Sequence, residues 1–573
     1  MRNLSSNISD KANLIWSIAD KLTGAYKPHE YGEVILPLTV IRRFDCVLAD
    51  TKDAVLAEDE KMKTVAMKDE FLKRKSGYSF YNTSRFTFQR LLDDPDNIEA
   101  NFKNYLNGFS PNVQEIIEKF KFDGHITTMA KKGILYNVLK EYTTPKGNLH
   151  PSKISNLEMG YIFEEIIRRF SESHNEDAGQ HYTPREVIEL MVNILFIDDS
   201  DVLSGNNIKK TLYDPACGTG GMLSVASEYL HRMNSGAELI GFGQELNDHT
   251  FAICKADILI KGGGAEQIKN GNTLSDDQCA DMQFDYILSN PPFGREWKNE
   301  KSAIEKEAKQ GFAGRFGPGT PAIGDSQMLF LLTAISKMKD SGSRVAIIHN
   351  GSPLFTGDAG SGPSEIRRYI LEHDLLDAII ALPNDIFYNT GIATYIWVLS
   401  NKKPEKRRGK VQLINANHMF VKRRKSLGNK RNDISPQAIA EITRIYGEFK
   451  ENDISKIFSN EDFGYHKITV ERPLLDENNK PVLSKGKPKP DSSKRDTENI
   501  PLSEDINKYF GREVLPFAPD AWIDEKKTKV GYEISFTRYF YKYTPPRPSK
   551  EIMDEILTLE QELEGSLTEI FRK

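Results

Sequence analysis

Leu212-Tyr213-Asp214-Pro215-Ala216-Cys217-Gly218-Thr219-Gly220-Gly221-Met222-Leu223 reads as a buried strand, a glycine-rich turn and the start of a helix. The strand ends at Asp214, and the helix continues from Met222 through Tyr229. Glycines let a backbone approach a ligand closely, and the first turn of a helix offers unpaired N–H groups. Two familiar glycine loops are excluded by residue type. A phosphate-binding loop needs Gly-Lys-Ser/Thr and no lysine is present; the dinucleotide fingerprint needs glycine where Leu223 stands. The turn therefore cradles something other than a pyrophosphate, with Asp214, Pro215, Ala216, Gly218, Thr219 and Gly220 as its candidate binding residues.

Downstream, Glu238-Leu239-Ile240-Gly241-Phe242-Gly243-Gln244-Glu245 is the next strand, ending in an acid about one βαβ unit on. A carboxylate there can take two ribose hydroxyls. Ile268 to Leu274 closes another unit with a small polar turn, from which Asn272 could reach an adenine edge. Phe284-Asp285-Tyr286-Ile287-Leu288-Ser289 is apolar and then stops at Asn290-Pro291-Pro292-Phe293. Prolines stiffen that bend and keep the preceding residue out of helix. It reads either as a plain turn after a strand or as a pocket in which an amide and a ring hold a flat, polar-edged group such as a nucleobase. Residues 294–324 carry no clear periodicity and read as a long loop, a lid or a disordered stretch. A helix over 327–338 and strands at 344–348, 378–382 and 393–399 follow, the last expected to end the sheet. Strands alternating with helices give an α/β class, doubly wound.

Upstream, apolar residues at helical spacing (Ile8, Ala12, Ile15, Ala19) open a mainly helical region reaching about residue 150. Pro145 to Ser155 reads as a linker, and Met159 to Phe170 as a helix. Then comes Gly179-Gln180-His181-Tyr182-Thr183-Pro184-Arg185-Glu186-Val187, where Thr183 is placed as a helix N-cap and Pro184 as the first helical residue. The expected divisions are 1–150, a catalytic 151–425, an extension over 426–545 with a proline-rich linker, and a terminal helix over 546–573. That helix carries Ile552, Ile556, Leu559 and Leu563, extended by Leu567 and Ile570, and either packs on its own domain or joins a partner's coiled coil.

The 573 residues suit roughly two to four domains. With 39% hydrophobic and 28% charged residues, the composition is that of a soluble globular chain. No apolar run is long enough for a membrane span, the first residues do not read as a targeting signal, and the four cysteines have neither metal spacing nor a secreted framework. A reducing cytoplasm is expected. The net charge of -5 does not advertise a nucleic-acid binder. Two basic runs stand out, Lys402-Lys403 with Lys406-Arg407-Arg408 and Lys410, and Lys422-Arg423-Arg424-Lys425 with Lys430-Arg431. Each reads as a solvated loop or as a phosphate contact.

Taken together, the motifs resemble those of the modification subunit of type I restriction–modification systems, an adenine DNA methyltransferase dependent on S-adenosylmethionine. The resemblance spans nearly the whole chain and rests on Asn13 to Asp20, Gly179 to Pro184, Asp214 to Gly221, Asn290 to Phe293 and the terminal helix, in the gamma order of amino-methyltransferases. It implies a Rossmann-like methyltransferase sheet with a helical amino-terminal domain and a helical tail. It also implies that Tyr182, Thr183 and Pro184 line the donor's methionine end, with Gln180 and His181 also among the cofactor-binding residues, that Asp214 to Gly220 make its backbone contacts and Glu245 holds its ribose, and that Asn272 takes its adenine. Relatives often carry aspartate where Asn272 stands. Asn290 and Pro291 would accept the two amine hydrogens of a flipped adenine, Pro292 would stiffen the bend, Phe293 would stack on the base, and Phe387 would either wall the pocket or be an ordinary core phenylalanine. The implied partners are double-stranded DNA, a specificity subunit, a second copy of the chain and a restriction subunit. The rival readings are methylation of RNA or of a protein glutamine, and a DNA-binding assembly subunit without catalysis; the large helical region and the type I layout argue against the first.

Overall fold

The computed structural model describes residues 13, 15–62, 67–172, 183–388, 390–484, 486–543 and 546–571. The chain forms two compact units, one up to Ile534 and one from Ser535 onward. In the first unit a central sheet is built from β1 (Lys209–Asp214), β2 (Glu238–Glu245), β3 (Ile268–Asn270), β4 (Tyr286–Ser289), β5 (Arg344–Asn350), β6 (Leu376–Ala381), β7 (Thr394–Ser400) and β8 (Lys410–Asn415). A hairpin of β9 (Val421–Leu427) and β10 (Lys430–Asp433) lies outside it, and β11 (Ser455–Ser459) returns to it. The spatial order is β11-β8-β6-β7-β5-β4-β1-β2-β3. β1 to β6 and β8 run parallel, while β7 is antiparallel to β5 and β6, and β11 is antiparallel to β8. Strands buried on both faces read as continuous apolar runs, as Ile287-Leu288 and Ile379-Ile380 do. The sheet does not end at β7 as expected; β8 and β11 extend it, because Val411, Leu413 and Ile414 form another buried strand.

The amino-terminal region is helical, as its periodicity predicts, with long helices such as Tyr31–Leu48. Its core does not close on itself. Ile35, Phe44 and Met129 belong to one apolar cluster with Ala252, Ile253, Ala256 and Leu259 of helix Asp248–Ile260, which follows β2. Helix Asn156–Glu172 joins the same cluster through Ile162 and Ile166. Residues 294–324 are more ordered than expected. They include helix Lys301–Ala308, and Arg315 is clamped by Glu307 through bonds of 2.8 Å from Nε and Nη2. A pinned guanidinium and the buried side chains of Trp297, Ile304 and Phe316, of which only Ile304 lies on the helix, do there what a full apolar stripe does elsewhere.

Residues 464–532 form a small antiparallel sheet in which Gly464–Glu471 pairs with Asp496–Pro501 and Lys529–Tyr532. The proline-rich stretch is thus partly a strand. In the second unit, helix Ser549–Phe571 presents Ile552, Ile556, Leu559 and Leu563 exposed, while the side chains of Leu567 and Ile570 lie outside the described residues.

Candidate active site

Asp214 closes β1 and Asn290 follows β4, and these two neighbouring strands flank the point where the strand order reverses. Ligands of open α/β sheets sit in that crevice, beyond the carboxyl ends of the strands. Ser289 ties the two ends together, its Oγ donating to Asp214 Oδ1 at 2.8 Å, and the Ala216 N–H donates to the same oxygen at 3.0 Å. Burial pushes the Asp214 carboxyl up to about 7, although the Ala216 and Ser289 bonds pull the other way; the nearby Glu245 charge adds to the rise.

The glycine turn bends as its residues require. Gly218 and Gly220 have φ of 54° and 81°, and a Cβ on Gly220 would stand 2.7 Å from Cys254 Sγ. Glu245 reaches back from the end of β2 into this turn. One of its oxygens accepts the Gly218 N–H and the other the Asn247 N–H, each at 2.8 Å. Every carboxylate oxygen has a second lone pair, so Glu245 shapes the loop and keeps acceptor capacity toward the cleft that it lines.

Asn290 is oriented by one bond: its Nδ2 donates to Thr183 Oγ1 at 2.9 Å. Its Oδ1 is buried and accepts no hydrogen bond among the described residues. A buried acceptor left unpaired costs roughly 1–3 kcal/mol, a cost that a ligand's N–H removes. The threonine thus differs from its expected role. The helix begins at Arg185 after Pro184, without a side-chain cap, and the Thr183 hydroxyl serves the asparagine instead. Phe293 is half-buried and meets the buried Phe387 edge-on, ring centres 6.4 Å apart. Asn272 accepts the Leu274 N–H at 3.0 Å and donates to Glu300 at 2.6 Å.

A cleft of about 690 Å³ runs past Pro215, Glu245, Leu246, Asn272, Pro292 and Phe330. A narrower recess is lined by Thr183, Asp214, Gly218, Thr219, Met222 and Asn290. Gln180, His181 and Tyr182 lie outside the described residues. The other expected site residues are gathered at one edge of the sheet. Sequence reasoning missed Ser289, Glu164, Phe330 and Lys121. Ser289 left a trace, a polar residue in an otherwise apolar strand. Lys121 left none, since it comes from the helical region and reaches the cleft only through the tertiary fold, 3.3 Å from Asp248.

A family model described as N-6 DNA Methylase matches residues 155–468, and another, described as HsdM N-terminal domain, matches residues 11–141. The chain belongs to the N-6 DNA methylase family. It is an S-adenosylmethionine-dependent adenine-N6 DNA methyltransferase subunit of the type I restriction–modification kind, as the motif order implied. It is 25% identical over 483 residues to the type I restriction enzyme MjaIX methylase subunit of Methanocaldococcus jannaschii, covering 80% of each chain. It is 29% identical over 280 residues to the HindI methylase subunit of Haemophilus influenzae, covering 48% of this chain and 58% of that one. The fold is shared with the type I methyltransferase subunit from Streptococcus thermophilus at a TM-score of 0.62 and 22% identity, over 80% of this chain and 97% of that one. Among the described residues no helix is long and apolar enough to cross a membrane.

Proposed function

We propose that Asn290 Oδ1 and the Pro291 carbonyl accept the two amine hydrogens of an adenine flipped out of duplex DNA. The unpaired, buried Oδ1 at the switch point carries this reading. An exocyclic amine is a poor nucleophile because its lone pair is delocalised into the ring. Two fixed acceptors localise that pair and aim it for in-line displacement. Pro291 and Pro292 keep the acceptors in place. Thr183 holds the amide so that its oxygen, not its nitrogen, meets the base. Phe293 offers a ring face for stacking, with Phe387 behind it.

Bound S-adenosylmethionine supplies a methyl group on a sulfonium, already activated for transfer. The chain's residues fit this donor. Asp214 and the Gly218–Gly220 turn suit its amino-acid end, Glu245 its ribose, and the cleft between Leu246 and Phe330 its base. Tyr182 to Pro184 complete the methionine end, and a neutral Asn290 suits the approach of a cationic donor. Asn272 reads the donor's adenine with its spare oxygen lone pair.

The partners are a specificity subunit that selects the DNA site, a second copy of this chain and a restriction subunit. The exposed apolar stripe from Ile552 to Leu563 is the contact with the specificity subunit. Labelled donor, duplex DNA and this chain, with and without the specificity subunit, test the reading: adenine-N6 label is expected in DNA only with both present. Label in RNA or protein instead, or none with the full assembly, overturns it. Removing residues after Lys550 is expected to abolish co-purification with the specificity subunit.

A further inference from the structure

We propose that the β9–β10 hairpin is a duplex-DNA contact that grips phosphates beside the flipped base; this rests on the adenine-methylating reading above. The hairpin stems from the carboxyl edge of the sheet. β6 and β8 are parallel, so the segments that follow both of them emerge where Asp214 and Asn290 do. Backbone bonds fasten it to the segment after β6: Asn429 N–H donates to the Tyr388 carbonyl at 2.8 Å and Arg431 N–H to the Asp385 carbonyl at 2.9 Å. That segment carries Phe387, which packs on Phe293.

A second anchor reaches the other wall of the site. Lys430 is 1% exposed, and its ammonium donates to Glu186 and, at 3.0 Å, to the Ile386 carbonyl. Glu186 lies three residues after Thr183, the hydroxyl that orients Asn290. One lysine of the basic run thus locks the hairpin to both sides of the base site.

The remaining cations are arranged differently. The ladder runs from Leu427 opposite Lys430 to Lys422 opposite Asn432, five steps on β9 against two on β10. Arg423 to Ser426 therefore bulge out of the ladder, the device by which strands re-aim side chains. Lys422, Arg424, Lys425 and Arg431 are exposed and form no ion pair among the described residues. Arg423 is held by Asp433 at 2.6 Å and stiffens the bulge. A rigid two-stranded ribbon with unpaired cations matches the charge of a phosphate backbone, and the major groove of duplex DNA is wide enough to take such a ribbon. Nothing else on the ribbon suits a protein partner. Its exposed face carries a single large apolar residue, Val421.

The test compares two triple variants of the full chain, both removing three positive charges. Lys422→Ala, Arg424→Ala and Lys425→Ala empty the ribbon; Lys402→Ala, Arg408→Ala and Lys410→Ala change exposed cations of the other basic run. Binding of a fluorescent 30-base-pair duplex is measured against salt concentration, and S-adenosylmethionine binding is measured by calorimetry. Wild type is expected to bind the duplex at low salt. The ribbon variant is expected to lower the slope of log affinity against log salt by roughly 2–3, at about 0.9 per phosphate contact. Donor affinity should be unchanged, as should both readouts for the other variant. Equal loss in both variants, an unaltered slope in the ribbon variant, a loss seen with single-stranded RNA but not with duplex, or no duplex binding by wild type overturns the proposal. Methyl transfer by the wild-type assembly is scored separately. If the assembly methylates adenine while the ribbon variant binds duplex as wild type does, the ribbon proposal alone fails; if it methylates nothing, the functional reading fails.

Discussion

The two basic runs are alike as strings and opposite as structures. Residues 402–410 connect the carboxyl end of β7 to the start of β8, which is the amino edge of the parallel strands. Residues 421–433 leave the opposite edge. At the amino edge, charge is absorbed into the core. Arg407 is fully buried against Asp377 at 3.3 Å, and its guanidinium also donates to the Tyr446 carbonyl. Lys403 pairs with Asp374 at 2.6 Å and donates to the Lys410 carbonyl. Arg344, at the start of β5, pairs with Asp198 at 2.6 Å. At the carboxyl edge, polar atoms are left over among the described residues: Asn290 Oδ1 has no donor, and Lys422, Arg424, Lys425 and Arg431 of the hairpin have no acid partner. Charge at the amino edge holds the sheet, and the exposed charges with the Asn290 amide oxygen at the carboxyl edge are the groups proposed to meet ligands.

That contrast is broken most severely if the wrong edge controls the chemistry. Asn290→Ala is expected to lower methyl transfer by about 10³-fold, the size of effect seen when a fixed polar group is removed from the transition state. Donor affinity and melting temperature should stay near wild type, as calorimetry and a thermal melt would check. Retained transfer would remove Asn290 from the proposed role. Asp377→Ala at the amino edge should do the reverse. It strands Arg407 in the core, and breaking a buried pair costs about 3–5 kcal/mol. Chemical denaturation should register the loss, while turnover per folded molecule stays unchanged; lost turnover in a folded variant would blur the two edges.

Acidity sharpens the same comparison. The Asp214 carboxyl is raised to about 7, mainly by burial. Its folded pKa lies above the unfolded value, so its contribution to stability is full below about 4 and is lost as pH rises through about 7. A cationic donor favours the ionised form. Donor affinity is therefore expected to fall as pH drops below about 7, approaching tenfold per unit, and Asp214→Asn should flatten that profile. Calorimetric titrations at pH 6, 7 and 8 would decide; a profile of equal slope in the variant would assign the proton elsewhere. The smallest effect is expected at exposed members of the first run. Arg408→Ala with Lys410→Ala should change stability by no more than about 0.5 kcal/mol per site and leave transfer intact.

What was legible in the sequence was the chemistry tied to local shape. Asp214, Glu245 and Asn290 each end an apolar run at a turn, and a parallel sheet must bring such ends to one edge. The Thr183 hydroxyl was misread as a cap because a Thr-Pro pair is a strong local signal, whereas its bond to Asn290 spans 107 residues. The helix over 301–308 escaped notice because a single buried isoleucine gives no periodicity. The difference between the basic runs was not readable at all. Composition is local, but the edge on which a run emerges depends on strand direction, and the reversal at β7 comes from its insertion between β5 and β6, which no residue of either run reports.

Helix Asp248–Ile260 has a consequence for anyone recombining relatives. Its first residues border the cleft that Glu245 and Asn272 line, while Ala252, Ile253, Ala256 and Leu259 complete the apolar cluster of the amino-terminal helices. A chimera joined near residue 150 would cut through a shared core, pairing one parent's helices with the other's helix 248–260. Functional exchange of the amino-terminal region thus demands that this helix travel with it as a graft, although about a hundred residues separate the two in the chain.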